Sequence, residues 1–133
     1  MLISKFNNEN IENAIQEMEN RYSLIFPEEY RIFLQKYNGG KTPDTVFRLK
    51  GISSDIQGFY GLGKADCNYN ISMLENTPLF LDVIHNNLFP VAINSLGDHL
   101  LIGLSGDNTG KIYFCYHDMP TKNRELSSSL SAF

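Results

Sequence analysis

The sequence predicts a mixed fold in which helices come first and strands follow. Three observations carry that expectation. Apolar residues recur at helical spacing in two segments before Gly40, the period shortens to two after it, and a Gly-bounded loop at 106–110 separates two alternating runs.

From Asn10 to Tyr22, the side chains of Ile11, Ala14, Ile15, Met18 and Tyr22 form one apolar stripe. Glu12, Gln16, Glu17 and Glu19 turn to water, so the segment reads as an amphipathic helix. In "LIFPEEYRIFLQKYNGG", Pro27 suits a first helical position, and Glu28 and Glu29 complement the positive end of the helix dipole. Tyr30, Phe33, Leu34 and Tyr37 keep the helical period, and Asn38-Gly39-Gly40 supplies a left-handed stop. "TVFRLKGI" and "DIQGFYGLG" are short, β-branched and aromatic, and read as strands. In 65–87, "ISMLENTPLFLDVIHNN" reads as a short helix, with irregular structure broken at Pro78 as the alternative. "FPVAINS" reads as a buried strand, and "ELSSSLSAF" as a short terminal helix on Leu126, Leu130 and Phe133.

"GDNTGK", from Gly106 to Lys111, looks like a phosphate-binding loop. That motif needs four residues between its glycines, a Ser or Thr after the lysine, and a helix beyond, because backbone amides and the helix dipole together hold the phosphates. Here three residues separate Gly106 from Gly110, Ile112 follows Lys111, and the alternation of Ile112, Phe114 and Tyr116 with Tyr113, Cys115 and His117 marks a strand. With Leu100, Ile102 and Leu104 on the near side, the segment reads as a β-hairpin. A calcium loop also fails, since Ser105 would stand at the first ligand and Tyr116 where a bidentate Glu belongs.

Composition narrows the function classes. The 133 residues suit a single domain over 1–133, with 42% hydrophobic and 20% charged residues and a net charge of −4. Nucleic-acid binding usually announces itself with basic patches, and the balance here is acidic. No stretch reaches the ~18–20 apolar residues of a membrane span, and "MLISKFNNENIENAIQ" lacks the apolar core of a signal peptide. The expectation is a cytoplasmic protein with no membrane or nucleic-acid partner, and with Cys67 and Cys115 as reduced, half-buried thiols.

The search for a reaction returns little. Cys115-x-His117 is the one close Cys/His pair, without the spacing of a structural zinc site, and no nucleophile elbow accompanies Cys67, His85 or His99. Gly61-Leu62-Gly63 begins a dinucleotide fingerprint, but Asp66 occupies the third glycine position. No catalytic residue, cofactor or metal is therefore expected. What remains is a binding surface. Tyr60, Tyr69, Tyr113 and Tyr116 lie in or near the strand-rich half, among Asp55, Asp66, Asp82, Asp98 and Asp118. Tyrosine offers contact area at low entropic cost, and rim aspartates steer a cationic partner. Half-core tyrosines and turn-forming aspartates account for the same residues equally well. From this group Asp55, Tyr60, Asp66, Tyr69, Asp98, Tyr113, Tyr116 and Asp118 are the candidate partner-binding residues.

Three segments together resemble the SUKH superfamily, which includes fungal cell-wall-synthesis regulators and many bacterial immunity proteins. They are "FPEEYRIFLQKYNGG", "LFPVAINSLGDHLLIGLSGDNTGKIYFCYHD" and "LSSSLSAF". Phe26 stands where leucine is commoner in that family and Asn94 where aspartate is frequent, and "LSSSLSAF" resembles the opening of the family's C-terminal helix. The resemblance implies an α+β fold, two N-terminal helices and a C-terminal helix packed on a twisted, largely antiparallel β-sheet. It also implies a non-enzymatic role: binding and blocking the toxin domain of a polymorphic or contact-dependent toxin, often a basic nuclease, or else acting as a regulatory scaffold for a cellular partner.

Overall fold

In the computed structural model, the described residues are 11–49, 51–63, 67–116 and 119–129. Helix α1 spans Ile11–Tyr22 and buries Ile11, Ile15 and Met18; helix α2 spans Glu28–Tyr37 and buries Tyr30 and Leu34. Glu19 fastens the two helices, because one carboxylate oxygen accepts from the Phe26 amide at 2.8 Å and from Arg31 at 2.6 Å. Gln35 of α2 also donates to Glu12 of α1.

Helix α2 ends on Asn38, whose φ of 47° is left-handed and whose amide returns to the Leu34 carbonyl. The Asn38 side chain then clasps Leu62 twice. Its Nδ2 donates to the Leu62 carbonyl at 2.9 Å, and its Oδ1 accepts from the Leu62 amide at 2.8 Å. Gly39 follows at φ +76°, and a Cβ there would stand 2.6–2.7 Å from the backbone of residues 59–61. Only glycine admits both the conformation and the approach.

Six strands follow: β1 Gly40–Leu49, β2 Ile52–Phe59, β3 Leu88–Ile93, β4 His99–Gly103, β5 Ile112–Tyr116 and β6 Met119–Ser127. They pair antiparallel in sequence order, β1-β2-β3-β4-β5-β6, as one curled sheet. Phe89, Ile102 and Ile112 are cross-strand partners and share a face, as do Phe59, Ala92, Leu100 and Phe114. This face takes the helices: Phe26 packs edge-on to Phe89 at 4.8 Å, and Phe33 meets Phe59 at 5.1 Å. All five residues of β4 are buried, the polar His99 included, because both faces of the strand are covered.

Between β2 and β3 the chain leaves the sheet through single 3₁₀ turns at Cys67–Tyr69 and Ile71–Met73, then forms helix α3, Pro78–His85. Pro78 opens this helix instead of breaking it. Thr77 caps the end, its hydroxyl accepting from the Phe80 amide, and a first-turn proline has no amide to lose. Phe80 packs against Tyr22 at 5.2 Å, tying α3 to α1.

The expected C-terminal helix is a correction. Glu125, Leu126 and Ser127 belong to β6, with Glu125 opposite Tyr113 and Ser127 opposite Ile112. The helical spacing misleads here, since serine is a poor helix former and β5 offers a ladder along which Leu126 is buried. Leu130 and Phe133 lie outside the described residues, and the third helix is the internal α3. "GDNTGK" lies in the β4–β5 connection, where Gly106–Asn108 make a 3₁₀ turn. The Gly110 amide donates back to the Gly103 carbonyl at 2.9 Å, so it is spent on the hairpin.

Tyr30 is fully buried, and its hydroxyl finds no hydrogen-bond partner among the described residues. Tyr30→Phe removes that orphan while keeping the ring, and is expected to raise unfolding free energy by about 1 kcal/mol in urea titration. Phe89→Ala, which empties the aromatic centre, is expected to cost about 3–5 kcal/mol in the same assay. Burial pushes the Tyr30 and Tyr60 phenols above their ordinary range, so both hold their protons in the native state longer than in the unfolded chain. The resulting stability is fully present below about pH 10 and is lost as pH rises from the unfolded tyrosine pKa through the raised native one. Alkaline melting curves are expected to fall more gently for Tyr30→Phe.

Candidate interaction surface

The β3–β4 turn is built on Asn94. Its Oδ1 accepts from the Leu96 amide at 2.9 Å and the Asp98 amide at 2.8 Å, while its Nδ2 donates to Asp98 Oδ2 at 3.1 Å and to the Ser54 hydroxyl at 2.9 Å. One residue further on, the Ser95 amide and hydroxyl both donate to the Asp55 carboxylate. Backbone pairing between β2 and β3 covers Gly58 with Ile93 and Phe59 with Ala92. The side chains of Asn94 and Ser95 extend this short joint beyond its backbone ladder. An amide suits position 94 because an aspartate would set a second carboxylate against Asp98.

A polar row lies beneath. Gly58, Ile93, His99 and Cys115 are successive cross-strand partners on one face. The Tyr60 hydroxyl is hydrogen-bonded to His99 Nε2 at 2.9 Å, with the rings stacked at 5.8 Å. Tyr69 covers Gly58 so closely that a Cβ there would stand 2.5 Å from its ring. Leu101 and Cys115 pack with Leu88, with Val83 of α3, and with the half-buried Leu79 and Tyr113. His99 and Cys115 are side by side, yet burial and then the Asp98 charge push the thiol pKa up. A nucleophilic cysteine needs the opposite shift. Among the described residues no group of three or more His, Cys, Asp or Glu side chains is arranged to hold a metal ion.

The sequence-derived candidates are thus divided. Tyr60 and Asp98 are buried in the row and the turn. Asp55 is half-buried, clasping Ser95. Tyr69, Tyr113 and Tyr116 are half-buried, Tyr116 lying edge-on to Phe114 at 4.8 Å. Burial, then Glu125 across the strand, raises the Tyr113 phenol pKa. Asp66 and Asp118 lie outside the described residues, as does His117 of the Cys115-x-His117 pair.

What the sequence reading passed over is apolar exposure. Ile25 and Val46 are 74% exposed and Leu96 is 73% exposed. Val46 is the cross-strand partner of Asp55, and Leu96 follows Ser95, so these two mark one region around the turn. Leu96 was visible as an apolar residue inside the polar turn "NSLGD". Two clefts lie elsewhere on the surface, and of these exposed side chains Ile25 alone lines one of them, the second. One of ≈190 Å³ runs between α1 and residues 62–75, walled by Glu17 and by the Arg21–Glu75 ion pair at 2.8 Å. The other, of ≈230 Å³, lies between the α1–α2 loop, the end of α3 and the end of β4.

Helices on a curled antiparallel meander, joined by an Asn-Gly-Gly clasp and an Asn-built turn, define an α+β domain of the SUKH kind. Residues 11–133 match the SMI1 / KNR4 family (SUKH-1), and the chain belongs to that family. The family includes toxin immunity proteins and cell-wall regulators, generally non-enzymatic and associated with protein partners such as toxins. No curated protein and no solved structure matches the chain. Among the described residues, no helix is long and apolar enough to cross a membrane.

Asn94→Asp keeps the acceptor but loses both donated bonds and adds a buried like charge. It is expected to cost about 2–3 kcal/mol at pH 7, with the deficit shrinking as acid protonates one carboxyl of the pair. In a Cys67→Ser background, Cys115 is expected to resist iodoacetamide in native buffer and to alkylate promptly in denaturant, read by intact mass.

Proposed function

We propose that this protein is an immunity protein that acts in the cytoplasm, binding a cognate protein toxin domain and blocking it by surface complementarity. The observation that carries the reading is the family match over residues 11–133, joined to a net charge of −4. Toxins of the nuclease class present basic clefts, and an acidic inhibitor meets such a partner faster and holds it in register. The buried, proton-retaining Cys115 and the hydrogen-bonded Tyr60–His99 pair support action by occupation more than by turnover. Of the candidates, Asp55, Tyr69, Tyr113 and Tyr116 retain surface for contact, while Tyr60 and Asp98 support the turn and row behind it.

The second reading is a regulatory scaffold binding a cellular partner, in keeping with the cell-wall regulators of the same family. Co-expression with the toxin encoded by the adjacent gene separates the two. Rescue of growth and a 1:1 complex whose affinity falls as salt rises are expected of an immunity protein. Absence of rescue, with a housekeeping protein recovered in its place, would favour the scaffold.

A further inference from the structure

We propose that Asn38-Gly39 is a site of covalent self-modification, deamidation through a cyclic imide, which the native fold holds closed and unfolding opens. The inference stands apart from the immunity reading and concerns how long the protein lasts. Asn38-Gly39 is the one Asn-Gly pair in the sequence. Asparagine is a thermolabile residue, and a following glycine exposes it most, because no Cβ shields the next amide nitrogen and the backbone turns freely. In the reaction the Gly39 nitrogen loses its proton to water and attacks Asn38 Cγ. The N–Cγ bond forms, the Cγ–Nδ2 bond breaks, and Nδ2 takes a proton from water and leaves as ammonia. Water then opens the imide at either carbonyl, giving aspartate or isoaspartate.

Three features of the fold oppose this reaction. Ring closure needs the Gly39 nitrogen on the same side as the Asn38 Cβ. At Asn38's ψ of 42°, tetrahedral geometry at Cα turns that nitrogen to the far side. Rotation toward the reactive geometry is resisted at both residues. The Asn38 carboxamide is held by the Leu62 carbonyl at 2.9 Å and the Leu62 amide at 2.8 Å. Gly39 lies so close to the 59–61 backbone that a Cβ would stand 2.6–2.7 Å from it. Asn38 is also only 1% exposed, which keeps out the water that must take the proton and open the ring.

The product cannot rebuild the clasp. Aspartate at 38 has no donor for the Leu62 carbonyl, and it sets a carboxylate against that carbonyl in a buried position. Isoaspartate lengthens the main chain by a carbon just before Gly39, where the 59–61 backbone leaves no room for a Cβ. Unfolding therefore becomes irreversible once the ring has closed. Asn94, followed by the small Ser95, is guarded in the same way, by four side-chain hydrogen bonds at 5% exposure.

The test keeps the purified protein in warm, mildly alkaline buffer, native in one arm and unfolded in guanidinium chloride in the other. Proteolysis and mass spectrometry follow the peptide that carries Asn38. In the unfolded arm Asn38 is expected to deamidate ahead of every other asparagine in the chain. In the native arm its rate is expected to fall by about a hundredfold or more, since only the small opened population reacts. At intermediate denaturant the rate should rise in step with the unfolded fraction. After the denaturant is removed, chains deamidated at Asn38 are expected to stay unfolded or to melt well below unmodified ones. Expressed Asn38→Asp should share that defect. Equal rates at Asn38 in the two arms would overturn the proposal. So would modified chains that refold and melt as unmodified ones do, or another asparagine reacting before Asn38 in the unfolded arm.

Discussion

The architecture turns on the contact between Asn38 and Leu62. A helix must stop within one residue, reverse, and deliver the chain into the first strand of a sheet it also packs against. Asn38 accomplishes the stop with a left-handed backbone and fixes its position with two side-chain bonds to one distant residue. Gly39 then passes within van der Waals range of the 59–61 backbone, where any side chain would collide. That passage sets how α2 lies on the sheet, and hence which rings meet. Phe33 reaches Phe59, Tyr30 and Phe26 reach Phe89, and Phe80 of α3 joins from the other side. Aromatic packing of this kind depends on orientation as much as on buried area, so the clasp conditions the packing it precedes.

A second set of polar groups works at the far end of the sheet. Asn94, Ser95, Asp55 and Asp98 look like a surface rim in one dimension, yet most of their hydrogen-bonding capacity is used inward. The cost of burying Asp98 is offset by bonds from the Asn94 side chain, and its charge contributes to holding Cys115 as a thiol. The same carboxylate thus supports a turn and disfavours reactivity at a neighbouring sulfur. A buried polar network is expected to behave in this way, since its members act on one another through a low dielectric.

Much of this was legible in the sequence, and the unread parts have definite causes. The helices over Ile11–Tyr22 and Glu28–Tyr37 follow from apolar spacing and end signals, and the β4–β5 hairpin from alternation and bounding glycines. The helix after Pro78 was legible but ambiguous, because proline both starts and breaks helices and only the Thr77 cap decides. The terminal segment was misread since Leu126 is recruited by pairing to β5, a non-local interaction that outweighs local periodicity. Burial could not be assigned residue by residue. Tyr60 and Asp98 were indistinguishable in sequence from Tyr113 and Asp55, and their separation depends on how the sheet curls. Ile25 lies between helical stripes, where no periodicity reports on exposure.

The sequential strand order carries a mechanical implication. The β1–β2 ribbon shares seven residue pairs, whereas the ladder joining it to the rest of the sheet holds two. The sheet is therefore two cooperative blocks with a seam between them, closed by a 28-residue excursion (60–87) and stitched by side chains from 54–55 to 94–95. Such a seam is where partial opening begins, with the ribbon parting while the four-stranded block holds. Amide exchange would register it as two protection levels divided between Phe59 and Leu88.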